Sequence, residues 1–203
     1  MPTQTRHKPG LTRATCGPRG RVLGWLCALL IGAGPLPASA QSFSVQDVRT
    51  TLQEGVYRLD ARLLFELPGK VREALENGVP LTFALDIEVS RPRRYLWNDD
   101  VAHLEQRSTL QYFDLTEQYL LRNLNSGHTE SYSSLEYALL ALGNIRSLPI
   151  IDAELLDPEQ HYMVGIRSYL DIDSLPVPLR MRAYVSRDWW LTSGWFTRDL
   201  GIH

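Results

Sequence analysis

The sequence has 203 residues, of which 44% are hydrophobic, 22% charged and 9% aromatic, a composition that excludes fibrous and disordered proteins. The formal net charge is −2, but residues 1–40 hold five basic side chains and no acidic one. The 21 Lys and Arg less these five leave 16 against 23 Asp and Glu in residues 41–203, a net charge of −7 for that part. This charge argues against nucleic-acid binding and against adhesion to anionic lipid.

The first 40 residues have the three parts of a secretory signal peptide. Basic residues 1–21 are followed by an uncharged apolar run at 22–34 and by the small-x-small sequence Ala38-Ser39-Ala40. The run is shorter than the roughly 20 apolar residues that a membrane-spanning helix needs. We therefore expect cleavage after Ala40 and a periplasmic or secreted protein, with a single exported domain at 41–203 and no transmembrane segment in the mature chain.

Both cysteines, Cys16 and Cys27, lie in this leader. Cleavage would leave a mature chain without a thiol, and therefore without disulfides, a thiolate nucleophile or a Cys-ligated metal. Such a chain would depend on its hydrophobic core for stability, which a single domain of this size can bury.

Strict alternation of apolar and polar residues is the main pattern after residue 41, and it predicts strands with one buried face. About eight such strands predict antiparallel sheets that pack one face on a core. The predicted strands are 43–52, 57–67, 81–89, 101–112, 117–124, 162–172, 179–185 and 189–198.

Two segments instead predict short helices. Residues 69–77 end at Asn77-Gly78, a left-handed stop, and the second helix begins with the capping box Ser133-Ser-Leu-Glu136 and ends at Gly143. A helical turn is also expected at 152–156. Together these elements predict an α+β, mainly β fold, with sandwich-like antiparallel sheets of about eight strands and two short helices.

Residues 41–203 contain no motif for nucleophilic catalysis or phosphate binding. Neither Gly-x-Ser-x-Gly nor a glycine-rich phosphate loop occurs there. The histidines after the leader are far apart in sequence, at His103, His128, His161 and His203. We expect ordinary exposed histidines, no metal and no cofactor. A metal site composed of distant residues is the alternative.

Acidic residues form two groups. Asn98-Asp99-Asp100 lacks the alternating oxygens, central glycine and later glutamate of a calcium loop, so a solvated turn is expected. Asp171 and Asp173 bracket one residue on the polar side of a predicted strand, about 7 Å apart, where a pair of catalytic carboxylates is geometrically possible. Charge on a solvated face is the more common explanation.

Aromatic residues concentrate near the carboxyl end, where Trp189, Trp190 and Trp195 fall within seven residues. On a continuous strand Trp189 would share the core-facing side of the preceding strand and Trp190 the polar side. We therefore predict that Trp189 is buried and that Trp190 is at least partly exposed. Two interpretations stay open: a strand that closes the sandwich with bulky residues, or a binding surface that includes Trp190, Trp195 and Phe196.

A second candidate surface is Arg91-Pro-Arg-Arg-Tyr-Leu-Trp97, which places three guanidinium groups and two aromatic rings after a predicted strand. Arg93, Arg94 and Trp97 would suit a ligand that carries a carboxylate or phosphate group. A charged turn whose arginine stems cover apolar surface is the alternative interpretation.

Four blocks of sequence resemble a known family. They are Gly78-Val-Pro-Leu-Thr-Phe83, residues 110–124, residues 133–143 and Ser186-Arg-Asp-Trp189, and in this order they are similar to the exported proteobacterial proteins catalogued as domain of unknown function 4390. The resemblance covers nearly all of the chain after the leader. It implies a single exported domain and assigns no catalytic residue or ligand. Because such proteins are often encoded beside a membrane sensor kinase, it also implies a regulatory partner in the cell envelope.

The leading functional hypothesis from the sequence is a non-catalytic envelope module that binds another protein through a sheet edge or its aromatic end. The competing hypothesis is a periplasmic hydrolase that uses carboxylates on a polar sheet face.

Overall fold

The computed structural model describes residues 42–93 and 98–201. These residues form nine strands in two antiparallel sheets, together with three α-helices. The predicted α+β, mainly β class is confirmed. The strands are β1 (Phe43–Gln53), β2 (Val56–Phe65), β3 (Leu81–Arg91), β4 (Asp99–Phe113), β5 (Gln118–Asn123), β6 (Thr129–Tyr132), β7 (Asn144–Asp152), β8 (Met163–Leu170) and β9 (Phe196–Asp199); the helices are α1 (Gly69–Glu76), α2 (Leu135–Leu142) and α3 (Val177–Val185).

The smaller sheet has the strand order β1-β2-β7 and the larger has the order β6-β5-β4-β3-β8-β9. All neighbouring strands are antiparallel. Strand β3 lies near the centre of the larger sheet, between β4 and β8, and its alternating side chains face two different environments. Leu85, Ile87 and Val89 face the smaller sheet and are buried, whereas Asp86 and Glu88 point to the other side.

The inner face of the larger sheet is covered in two parts. Toward one end the smaller sheet packs on it, with Leu59 of β2 among the buried residues of the shared core. Toward the other end helices α1, α2 and α3 cover Leu81 and Phe83 of β3, with Val71 of α1 and Ala138 of α2 in the same cluster. One sheet face therefore holds both cores, and its opposite face is left for polar side chains.

Helix α3 corrects the prediction of a strand at 179–185. Pro178 lies in its first turn, where the fixed φ of proline favours a helix start and its missing N–H costs nothing. The alternating apolar residues are shared between two helix faces, because Leu179 and Ala183 pack on the core while Met181 and Val185 are exposed. A spacing of four residues, which both pairs have, fits a helix as well as it fits a strand.

The predicted strand at 189–198 is also mostly wrong, since a 3₁₀ turn occupies Arg187–Trp189 and only Phe196–Asp199 form β9. The two tryptophans nevertheless have the predicted burial, with 4% of Trp189 and 63% of Trp190 exposed. Their environments differ because the chain turns between them and not because a strand alternates. Trp189 is part of the core beneath the helices.

The remaining predicted elements were located with smaller errors. The helical turn at 152–156 is confirmed as a 3₁₀ turn at Ala153–Leu155. Strands β6 and β7 were not predicted, and the register of β2 with β7 shifts twice. In β7 the apolar residues do not alternate regularly around Pro149, which removed the period-two signal.

The ends of the first two helices follow their local sequences. Gly78 has φ +79°, as the predicted left-handed stop requires. Helix α2 begins one residue later than predicted, because Ser134 and not Ser133 is its N-cap and accepts a hydrogen bond from the Tyr137 N–H at 3.4 Å. Gly143 ends this helix against β2, where a Cβ atom would lie 2.1 Å from the Leu63 carbonyl oxygen. Among the described residues, none of the helices has the length and apolar character needed to cross a bilayer.

Candidate functional site

The outer face of the six-stranded sheet gathers charged residues from its three central strands. Asp86 of β3 lies directly opposite Glu105 of β4 on one side and Arg167 of β8 on the other. In the next row Ala84 separates Arg107 of β4 from Tyr169 of β8. Directly opposite residues of antiparallel strands point to the same face, so these side chains form one continuous surface.

Two arginines pair with three carboxylates of this face. Arg167 Nη2 donates to Asp86 Oδ2 at 2.5 Å, and Arg107 donates from Nε to Glu105 Oε1 at 2.6 Å and from Nη1 to Asp171 Oδ2 at 3.1 Å. The hydrogen bond to Glu105 raises the pKa of the Arg107 guanidinium further. Asp86 and Asp171 are buried, and burial of a carboxylate is tolerated where a cation and hydrogen bonds accompany it.

Two aromatic rings enclose the guanidinium of Arg167. Its Cζ atom lies 4.7 Å from the ring centroid of Trp195 and 5.1 Å from that of Tyr169, within the range of cation–π attraction. Two atoms of the Trp195 ring lie 3.4 and 3.5 Å from the position that a Cβ atom at Gly165 would take. Gly165 therefore gives the indole room on the sheet, and Trp195 remains 44% exposed.

Trp190 lines a shallow hollow together with two of these residues, Arg167 and Tyr169. The hollow has a volume of about 420 Å³ and is lined by Arg167, Tyr169, Trp190 and Thr192, among others. Trp190 is held in place because its Nε1 donates to the Ala183 carbonyl at 3.3 Å. We call Arg167, Tyr169, Trp190 and Trp195 the aromatic platform.

A smaller cleft of about 200 Å³ lies between the two sheets and is lined by Leu63, Leu85 and Ile145, among others. Ligand pockets usually have about 300–1,000 Å³. The platform hollow falls in that range, as do three other surface hollows of about 460, 570 and 530 Å³. We choose the platform hollow because, of these four, it is the one lined by two aromatic rings and an arginine.

Of the three aromatic residues predicted as a binding surface, the structure brings two to the platform. Phe196 instead pairs with Ile166 in β9 and β8. Because Ile166 is buried in the core between the sheets, Phe196 lies on the inner face at the sheet edge, with 37% of its surface exposed. It is therefore separated by the sheet from Trp195.

The predicted arginine patch lies elsewhere. Arg91 and Arg93 both donate to Asp99 Oδ2 at 2.5 Å. The hydrogen bond from Arg91 has the larger effect and that from Arg93 the next, and both lower the pKa of the Asp99 carboxyl. Arg94 and Trp97 lie outside the described residues. The patch follows the end of β3 that pairs with the start of β8, whereas Trp190 lies near the end of β8. The seven residues of β3 between these ends span roughly 23 Å.

Asp171 and Asp173 do not form the paired carboxylates that a strand would have allowed. Strand β8 ends at Leu170, and Asp171 caps the following 3₁₀ turn by accepting from the Asp173 N–H at 3.0 Å. Asp173 is exposed and accepts from the Tyr184 hydroxyl. The expectation of a solvated carboxylate is wrong for Asp171, which is buried beside Arg107.

The histidines at positions 103, 128 and 161 are exposed, as predicted. They pair with Glu88, Glu130 and Asp199 respectively. In the part of the chain that the structure describes, no group of three or more His, Cys, Asp or Glu side chains could hold a metal ion. His203 lies outside that part.

Arg167 and Tyr169 were not singled out in the sequence. They occupy the polar phase of a recognisable strand, so their outward direction was predictable. Their partners were not, because Asp86 and Trp195 come from distant parts of the chain and meet them only through the strand order of the sheet.

The sequence was also compared with known proteins. A family model described as "Domain of unknown function (DUF4390)" matches residues 40–199, which include the whole platform. No curated protein and no solved structure matches the chain.

Proposed function

The chain belongs to the DUF4390 family, and we propose that it is an exported, non-catalytic module that binds another protein of the cell envelope through the aromatic platform. The observation that carries this proposal is the exposure of two tryptophans, 63% for Trp190 and 44% for Trp195, on either side of Arg167, which contacts the Trp195 ring and lines a hollow with Trp190. Tryptophan and arginine are the residues that most often dominate the energy of protein–protein binding.

The platform is preorganised for such a role. Arg167 is fixed by Asp86 and by two rings, and Trp190 by its hydrogen bond to the helix backbone. Side chains that are already held in one conformation lose little entropy on binding. Large rings with few rotatable bonds add contact area at low entropic cost.

Export is the second part of the proposal, and it is supported by the signal-peptide pattern of residues 1–40. We propose cleavage after Ala40 and a periplasmic or secreted location. Cell fractionation with amino-terminal sequencing tests this. Leu29→Arg places a charge in the apolar run, at an insertion cost of about 2.5–3.5 kcal/mol, and should retain the protein in the cytosol. Intact wild-type protein in the cytosol would contradict the proposal.

The competing function is a hydrolase that uses carboxylates of the outer face, favoured by the direct juxtaposition of Asp86 and Glu105. The arginine contacts weigh against it, because both carboxylates are already engaged. A general base must reach the proton that it removes. Turnover of a glycan or ester substrate that is abolished by Glu105→Gln would favour the hydrolase over the binding module.

The partner that we propose is the periplasmic part of a membrane sensor kinase. This choice comes from the family resemblance and not from the shape of the platform. It is tested by adding the purified protein to a reconstituted kinase of the same cell and measuring autophosphorylation. Wild-type protein should change the rate and Trp195→Ala should not. A matched control is Tyr137→Ala, which removes an aromatic side chain that is 64% exposed on α2.

A further inference from the structure

Helix α3 carries a stripe of apolar side chains that nothing in the described part of the chain covers. Val177 and Met181 are about two-thirds exposed and Val185 is 86% exposed. Their spacing of four residues places them on one side of the helix, and the opposite side, with Leu179 and Ala183, packs on the core.

Arginines border this stripe. At about 100° per residue, Arg180 and Arg182 fall on its two flanks, and Arg187 lies two residues beyond the end of the helix. None of the three pairs with a carboxylate of residues 42–93 or 98–201. Residues 177–187 therefore carry three arginines and no carboxylate, on a body whose net charge is negative. Arg180 also donates from Nε and Nη2 to the Leu175 carbonyl at 3.1 and 2.8 Å, so Arg182 and Arg187 are the two that remain directed to solvent.

The acidic residues nearest to the helix in sequence lie at its two ends and are engaged. Asp173 accepts from the Tyr184 hydroxyl, and Asp188 accepts from Lys70 Nζ at 2.6 Å, which lowers the pKa of the Asp188 carboxyl. Glu73 lines the hollow between α1 and α3 together with Lys70. From 174 to 187 the sequence has no Asp or Glu.

Trp190 extends the stripe with an indole ring. Its Nε1 donates to the carbonyl of Ala183 in the last turn of the helix, and 63% of its surface is exposed. An indole that is apolar on its faces and polar at one edge is favoured at the boundary between lipid headgroups and acyl chains.

We propose that this surface, which we call the α3 stripe, docks the protein in the interfacial layer of a membrane that contains anionic phospholipid. The stripe comprises Val177, Met181, Val185 and Trp190, with arginines on its flanks. Helices with this pattern lie in the plane of the interface, with the apolar side chains among the acyl chains and the arginine stems reaching back to the headgroups. We choose a lipid surface as the partner because of the arginines beside the stripe. Each arginine near an anionic leaflet adds attraction, while the acidic body is repelled.

The proposal does not depend on the aromatic platform binding a protein. The average charge of the chain disfavours anionic lipid, but attraction falls off within about one Debye length, roughly 8 Å in physiological salt. The charges closest to the bilayer therefore decide the interaction, and along α3 these are arginines.

The test is co-sedimentation of the protein, purified from its cells and with its amino terminus sequenced, with vesicles of equal parts phosphatidylglycerol and phosphatidylcholine. Vesicles of phosphatidylcholine alone are the comparison. The test variant is the double change Met181→Glu with Val185→Glu, and the matched control is Leu115→Glu with Leu155→Glu, two exposed leucines away from the stripe. All four positions are exposed, so circular dichroism should show that both variants keep the fold.

We expect wild-type protein to bind the anionic vesicles and the stripe variant to lose binding more than tenfold. The control variant carries the same two added negative charges and should bind nearly as well as wild type. Arg182→Gln and Arg187→Gln should each weaken binding about fivefold. Tryptophan emission should shift to the blue only with anionic vesicles, and Trp190→Phe should remove that shift.

Three results would overturn the proposal: no binding by wild type, equal loss in the control and stripe variants, or equal binding to both kinds of vesicle. If the stripe variant abolished modulation of the kinase while wild type ignored vesicles, the stripe would be a protein contact and the lipid proposal would be wrong. Trp195→Ala separates the two surfaces, because it should impair the kinase effect and leave vesicle binding unchanged.

Discussion

The two faces of the six-stranded sheet are built from the same strands but serve different ends. On β3, Ile87 is fully buried against the smaller sheet, while its neighbour Asp86 is buried on the other side by an arginine. The inner face holds the core together by excluding water from apolar side chains. The outer face uses paired charges to fix rings that remain exposed. If the outer face is the binding surface that we propose, stability and recognition are separated by the thickness of one sheet, and substitutions on either face should separate them too.

The largest effect is expected beneath the inner face, at Trp189. Trp189→Ala should cost about 3–5 kcal/mol of the free energy of unfolding, because it removes a buried ring from the core under the helices. Trp190→Ala, the matched control one residue away, should cost less than about 1 kcal/mol, since most of that ring is in solvent. Urea denaturation of both variants measures the difference. A larger loss for Trp190→Ala would contradict this assignment of the two rings.

Ile87→Ala should cost about 2–5 kcal/mol, because it opens a cavity between the two sheets. Leu64→Ala, on the outward side of β2, is the control and should cost less than about 1 kcal/mol. The midpoint of chemical denaturation should move for the first variant only. Similar midpoints would mean that the sheets are not packed against each other at Ile87.

On the outer face, Asp86→Ala should cost about 1–3 kcal/mol, because it leaves the Arg167 guanidinium without its carboxylate. The larger consequence should be local, since Arg167 would lose the anchor that places it over Trp195. Tryptophan fluorescence at native conditions should change, and Asp86→Asn should restore part of the stability. An unchanged fluorescence spectrum would show that the carboxylate does not position the platform.

The smallest effect concerns proton binding on the platform. Burial, with the nearby Asp86 and Glu105 charges, raises the pKa of the Tyr169 hydroxyl above its ordinary value. The folded state then holds this proton more tightly than the unfolded state. The contribution to stability is complete below about pH 10 and is lost as the pH rises through the raised value. Tyrosinate absorbance can be titrated in wild type and in Tyr169→Phe, and the difference between the two curves reports the Tyr169 hydroxyl. This hydroxyl should ionise above about pH 10. Loss of a group that ionises earlier would contradict the burial of Tyr169.

The fold could be predicted from the sequence where the spacing of apolar residues fitted only one kind of secondary structure. The alternation in 81–89 belongs to a strand with two distinct sides, and its buried and polar residues were predictable one by one. In 177–185 the same alternation belongs to a helix, and the prolines at its start were the signal that should have outweighed it. Segments with both proline and apolar residues every second position remain ambiguous without tertiary contacts.

The platform was predictable only in half. Trp190 and Trp195 were recognised from composition, but Arg167 and Tyr169 gain their roles from strand pairing. The contact of Arg167 with Asp86 joins residues 81 positions apart, and no local pattern encodes which strands become neighbours. For the same reason, the sequence could not show that the predicted arginine patch and the aromatic end lie far apart in the fold.

The most direct test of the platform is photo-crosslinking in living cells from a benzophenone amino acid placed at position 195, with position 137 as the control. Both positions carry exposed aromatic side chains, on the outer sheet face and on α2 respectively. We expect a discrete protein adduct from position 195 that disappears when Arg167→Ala is added, and none from position 137. Identical adducts from the two positions, or no adduct from position 195, would contradict the assignment of the outer face as the binding surface.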